Sequence, residues 1–218
     1  MPLESLALDT CLVSTLYYMD LGKLTIVNIM KASVRALSDK VLSPEEFDEA
    51  LWISITYKQN RLSSVEKFLE IDKKVGIPLP THTHYNLKYR GVIRTIDVYC
   101  RPDFIQGIRF TRNFIENASG HVESCAKLLL EKLEPTTKTN KSLGALVYHL
   151  KNQPISKDLS TKLETFDNIA FKKAKHDWNV PQRPEVHLFN LDEAILIYFI
   201  ARKLGRQIFE EGKLTPPE

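Results

Sequence analysis

Residues 190–201 read NLDEAILIYFIA, and this stretch decides the fold class. Asn190 stands where a helix cap belongs, and Asp192 and Glu193 place negative charge at the positive end of the helix dipole that follows. The run from Ala194 to Ala201 is then apolar on every side. A helix of this kind has no face to offer water. It must be covered all round, by other helices of the chain or partly by a second copy.

Working outward, the rest of the chain supplies candidates for that cover. Ser43-Pro44-Glu45-Glu46 joins an N-cap serine, a proline at the first helical position and a capping-box glutamate, predicting a helix to about Gln59. Ser63 with Glu66 repeats the spacing and predicts a short helix carrying Val65, Phe68, Leu69 and Asp72, ended by Gly76 with Pro78 beyond. Leu8, Leu12, Leu16 and Met19 predict a first helix over Leu3–Met19. Ile26, Ile29, Met30, Ser33 and Leu37 predict a second from near Thr25, where the β-branched start leaves a strand open. Between Gly76 and Pro102 the pattern weakens, and Val92 to Ile96 reads equally as helix or strand. Long irregular connections are often functional, so the 81–99 segment is also a candidate insertion over a site.

From Asp103 a long helical pattern runs to about Leu133, with a break or bend expected near Ser119-Gly120 because interior glycine costs about 1 kcal/mol relative to alanine. Further helices start at Ser142 and Ser156, the latter ending at His176. The connections EPTTKTNK and NQPISK are short, predicting antiparallel neighbours. The expectation is an all-α fold, a single domain over 1–218: N-terminal helices to residue 76, a connecting segment 77–102 and an up-and-down bundle over 103–210. The terminal KLTPPE should fray.

Composition narrows the function classes. A net charge of +3 is too small for bulk charge to imply nucleic-acid binding, so any basic site must be local. Cys11, Cys100 and Cys125 are odd in number and widely spaced, which predicts reduced, buried thiols rather than a disulfide framework or a zinc site. The N-terminal stretch MPLESLALDT is acidic where a secretory leader would be basic, and the longest apolar run is far short of the ~20 residues of a membrane span. A soluble, cytoplasmic protein is expected. No glycine-rich phosphate loop, HExxH or GxSxG is present, and no cofactor is expected.

The polar residues with chemical potential concentrate in Thr165 to Trp178, TFDNIAFKKAKHDW. Phe166, Ala170, Ala174 and Trp178 recur every four residues on one helix face, and Asn168, Lys172, Lys175 and His176 fall opposite. His176, between Lys175 and Asp177, has the surroundings of a general acid or base or of a phosphate contact. It is equally what a solvated helix end carries, where the dipole favours positive charge. Asn113, Asn117 and His121 form a second row at intervals of four, with Arg109 and Arg112 nearby. That row is a possible cleft wall facing His176, or a solvated face with an Arg112–Glu116 pair worth ~0.2–0.5 kcal/mol. His82-Thr83-His84 has metal-ligand spacing but no third ligand beside it, which favours a polar loop.

The succession RNFIENASGHVESCAKLLLEKLE, KSLGALVYHL, FDNIAFKKAKHDW and FNLDEAILIYFIARKLG resembles the helical core of HEPN-type domains over roughly Asp103 to Glu210. The resemblance implies an up-and-down bundle, often dimeric, of a family found in prokaryotic defence and toxin systems and including many metal-independent ribonucleases. That family's nuclease signature is an Arg followed, after four to six residues, by a His. Here Arg112 to His121 is too long, Arg183 to His187 too short, and Lys172 to His176 both one residue short and lacking arginine's planar bidentate contact. His176 alone matches a family position. The expectation is a non-catalytic or degenerate module, a homodimer, binding RNA or a partner protein through Asn168, Lys172, Lys175 and Asp177 with Arg112 and His121. The alternatives are a metal-independent ribonuclease with His176 as its catalytic group, or a structural assembly subunit.

Overall fold

The helix that opens at Asn190 lies at the centre of the molecule. In the computed structural model, which describes residues 23–80, 87–137, 142–170 and 189–217, Glu193 accepts a hydrogen bond from the Asn190 backbone N–H at 2.8 Å. All eight residues from Ala194 to Ala201 are buried, as are Leu204, Ile208 and Phe209 farther along. The chain covers this helix itself, so the apolar run does not require a second copy.

In chain order the helices are α1 (Lys23–Val41), α2 (Pro44–Thr56), α3 (Arg61–Val75), α4 (Arg90–Arg94), a π-helix (Thr95–Cys100), α5 (Arg101–Gln106), α6 (Thr111–Leu133), α7 (Leu143–Leu150), α8 (Lys157–Phe166) and α9 (Leu191–Glu211). A short 3₁₀ turn, Leu87–Tyr89, precedes α4. The protein is all-α, and among the described residues there is no strand. The two long helices, α6 and α9, pack along each other, with α1, α2, α3 and α8 against α9 and α4, the π-helix and α7 against α6. One buried cluster runs from Val34 to Phe209. An aromatic stack ties its middle together: Phe68 of α3 lies flat on Phe104 of α5 with centroids 3.8 Å apart, and Tyr198 of α9 contacts both Phe68 and Phe114 of α6.

The capping box of α2 is present in full: Ser43 Oγ accepts from the Glu46 N–H, and Glu46 accepts from the Ser43 N–H at 2.9 Å. Three boundaries differ from the expectation. The cap of α3 is Asn60, not Ser63, with its side chain accepting from the Ser63 N–H at 3.2 Å; the first suitable cap in the chain takes the role. The helix expected from Asp103 is two helices, divided at Gly107, whose φ of 101° only glycine adopts readily. No break occurs at Ser119-Gly120, where a break or bend was expected: α6 is continuous through it. Packing on both flanks outweighs the cost of one interior glycine.

The undecided 92–96 stretch is helical. It widens into the π-helix at Thr95, and the Arg101 N–H donates to Ile96 O, five residues back. Pro102 supplies a cause, since in an α-helix its ring would press on the carbonyl of Val98, and a wider turn relieves that contact. A helix expected to reach His176 leaves α-geometry after Phe166, with residues 167–170 in a π-turn. The expected first helix, the His82/His84 pair and residues 171–188 lie outside the described residues. Cys100 and Cys125 are buried free thiols, as expected for them.

Candidate functional site

Two groupings of polar side chains stand out, one inside the bundle and one on its surface. The interior one is built on Asp72, near the end of α3. Burial would raise its carboxyl, but the guanidinium groups of Arg202 and Arg101 outweigh that and hold it below the ordinary carboxylate value. Its Oδ1 accepts from Arg202 Nε at 2.5 Å and from the Tyr198 hydroxyl at 2.9 Å. Its Oδ2 accepts from Arg101, through Nε at 3.0 Å and also through Nη2. Arg101 reaches on to Asp97 at 2.5 Å. Arg202 completes its set with the Ile77 carbonyl at 2.9 Å and with His121.

His121 is fully buried here, where the sequence reading placed it on a solvated or cleft-facing row. Its Nδ1 lies 2.9 Å from the Val92 carbonyl, which can only accept, so Nδ1 carries the proton. Nε2 is then the acceptor for Arg202 Nη1 at 3.2 Å. Burial, then the Arg202 charge, pushes the imidazole pKa down to about 3. A general acid or base works best with a pKa near the operating pH and within reach of its substrate. His121 has neither. It is an architectural acceptor that orients Arg202.

Small residues make the cluster possible. A Cβ on Gly76 would lie 2.3 Å from the Arg202 guanidinium, and one on Gly205 would lie 2.6 Å from His121 Nε2. Both positions exclude any side chain because the buried polar groups pass directly against the backbone.

Of the remaining expected site residues, Arg112 does not converge on His121. Arg112 bonds Glu116 at 2.9 Å, the expected pair. Nine helical positions separate Arg112 from His121, about 13 Å along the axis and half a turn around it, so the two project from opposite sides of α6. The row Asn113, Asn117, His121 turns gradually inward, from exposed through half-buried to buried. Asn168 is half-buried in the π-turn after α8. Lys172, Lys175, His176 and Asp177 lie outside the described residues.

The second grouping was not foreseen. From Leu87 to Arg112 the sequence holds six basic residues, Lys88, Arg90, Arg94, Arg101, Arg109 and Arg112, against two acidic ones, Asp97 and Asp103. That stretch is therefore +4 in a chain whose total is +3, so the remainder is close to neutral. Val92, Ile93, Ile96, Cys100 and Phe104 turn inward, leaving Arg90, Arg94, Val98, Tyr99 and Ile105 exposed on the outer face. The Arg94 guanidinium lies over the Tyr99 ring, 5.5 Å from its centroid. Arg109 and the 66% exposed Phe110 follow in the turn into α6. That turn is held by Tyr57, whose hydroxyl donates to Phe104 O at 2.6 Å and accepts from the Ile108 N–H at 3.2 Å, and by Arg61 on Ile105 O. Charge counted over the whole chain hid this surface; charge counted along it would have found it.

Among the described residues no three His, Cys, Asp or Glu side chains gather as a metal site, and no helix is long and apolar enough to cross a membrane. No protein-family model, curated protein or solved structure matches the chain.

Proposed function

We propose that this chain is a non-catalytic, HEPN-like helical module that binds RNA. The sequence carries the non-catalytic part: Lys172 to His176 is one residue short of the family's nuclease spacing and has Lys in place of Arg, and His121, a neutral imidazole bonded at both nitrogens and sealed inside the bundle, is unavailable to a phosphodiester as a substitute. Arg112, on the opposite side of α6, does not pair with it as a nuclease Arg–His couple would. The order of α6, α7, α8 and α9 supports the HEPN-like reading through the sequence resemblance over these helices. The concentration of the chain's positive charge in residues 87–112 favours a polyanion over a basic or apolar partner, and the exposed rings of Tyr99 and Phe110 beside it favour one with bases to stack.

An electrophoretic shift and a cleavage gel run on the same mixture test this. Purified protein with a mixed tRNA and single-stranded RNA pool in EDTA should retard the RNA and leave its length unchanged. An unretarded pool at micromolar protein would discard the RNA reading and turn attention to protein partners. Shortened RNA would discard the non-catalytic one.

A further inference from the structure

Building on the RNA-binding reading, we infer that single-stranded RNA is held on the outer face of the α4–π–α5 run and the turn that follows it. Phosphates would lie on Arg90, Arg94 and Arg109, and bases on Tyr99 and Phe110. The sequence resemblance points instead to Lys172, Lys175 and His176, which lie outside the described residues.

Charge is the first argument. Arg90 and Arg94 are one helical turn apart on exposed positions, and Arg109 is exposed in the turn after α5. The run Arg90–Gln106 is about 25 Å long, enough for several nucleotides of an extended strand. Exposed rings are the second argument. Tyr99 and Phe110 present ring surface to water among arginines, and an unpaired base can stack on such a ring while a paired one cannot. The Arg94 guanidinium lying over Tyr99 gives a flat cation–π pair on which a base can be placed. Architecture is the third. Val98 and Tyr99 of the π-helix both face solvent. Arg101, anchored on Asp72 and Asp97, fixes the end of that turn, and Tyr57 and Arg61 fix the next one. The platform is thus set before any ligand arrives, which reduces the ordering cost of binding.

The test is fluorescence anisotropy with a labelled, uridine-rich single strand of about 12 nucleotides and the same sequence as a duplex. The variants are Arg90→Ala/Arg94→Ala, Tyr99→Ala and, as a surface control elsewhere, Lys40→Ala/Lys157→Ala, each checked by thermal melting. The double arginine variant should weaken binding about ten-fold and lower the slope of log K against log salt by about 2. Tyr99→Ala should weaken it about five-fold or more with the slope unchanged. The control should bind as the wild type does, and the duplex more weakly than the single strand. Wild-type binding that survives both site variants overturns this assignment while leaving the RNA reading intact. A wild type that binds neither probe overturns both.

Discussion

The interior cluster around Asp72 and the outer face of residues 90–110 are both rich in arginine, yet they do opposite things. Inside, Arg202 is surrounded by an acidic oxygen, a carbonyl and a histidine nitrogen, and its positive charge is matched within the fold. Outside, Arg90 and Arg94 face water, and Arg94 lies over an aromatic ring. Arg101 stands between the regions, with one edge on buried Asp72 and another on half-exposed Asp97. Burial turns an arginine from a recognition group into a structural one. The interior set should therefore govern stability and the exterior set binding, with little exchange between them.

The sharpest break comes at Asp72. Asp72→Ala leaves the buried Arg202 guanidinium without its carboxylate and Arg101 with Asp97 only, and should cost about 3–5 kcal/mol in urea denaturation. Asp72→Asn keeps the shape and should cost less. A loss under 1 kcal/mol in the alanine variant would mean the cluster is not buried as described. Gly205→Ala comes next, forcing His121 aside and costing about 1–3 kcal/mol by the same measurement. Acid acts on the same place. In the folded chain His121 stays neutral down to about pH 3, while in the unfolded chain it gains a proton near pH 6.5. Between those values the unfolded state holds the extra proton, so stability should fall as pH drops, by about 2 kcal/mol from pH 7 to pH 5. Urea midpoints at several pH values read this, and a flat profile across that window would argue against a buried neutral His121. Tyr57→Phe removes two hydrogen bonds from the turn before α6 and should cost about 1 kcal/mol per bond at most. Smallest of all, Arg90→Ala/Arg94→Ala should change stability by less than about 0.5 kcal/mol. A larger loss would place those arginines with the interior set.

Sequence reveals best what is decided locally. The α2 capping box and the all-round apolar α9 are set by residues within a few positions of one another, and both can be read directly. The 92–96 stretch carries both patterns within itself and is helical where it packs on α6; Pro102 accounts only for the π-turn that follows. His121 shows where periodicity fails. A row spaced by four residues drifts about 40° per step around a helix, enough to carry it from exposed Asn113 to buried His121. The Asp72 cluster could not be read at all: Asp72 and Arg202 are 130 residues apart, and no pattern along the chain announces their meeting. The cationic stretch 87–112 was legible in composition, but a chain-wide net charge averages it away.

The central claim is that this chain holds RNA without cutting it. Its most direct test is a time course of an end-labelled single-stranded RNA with wild-type protein and His176→Ala in EDTA, resolved on a denaturing gel. The account predicts full-length RNA in both lanes at protein concentrations that shift the same RNA on a native gel. Cleavage by the wild type that disappears in His176→Ala would contradict it and make the chain a metal-independent ribonuclease.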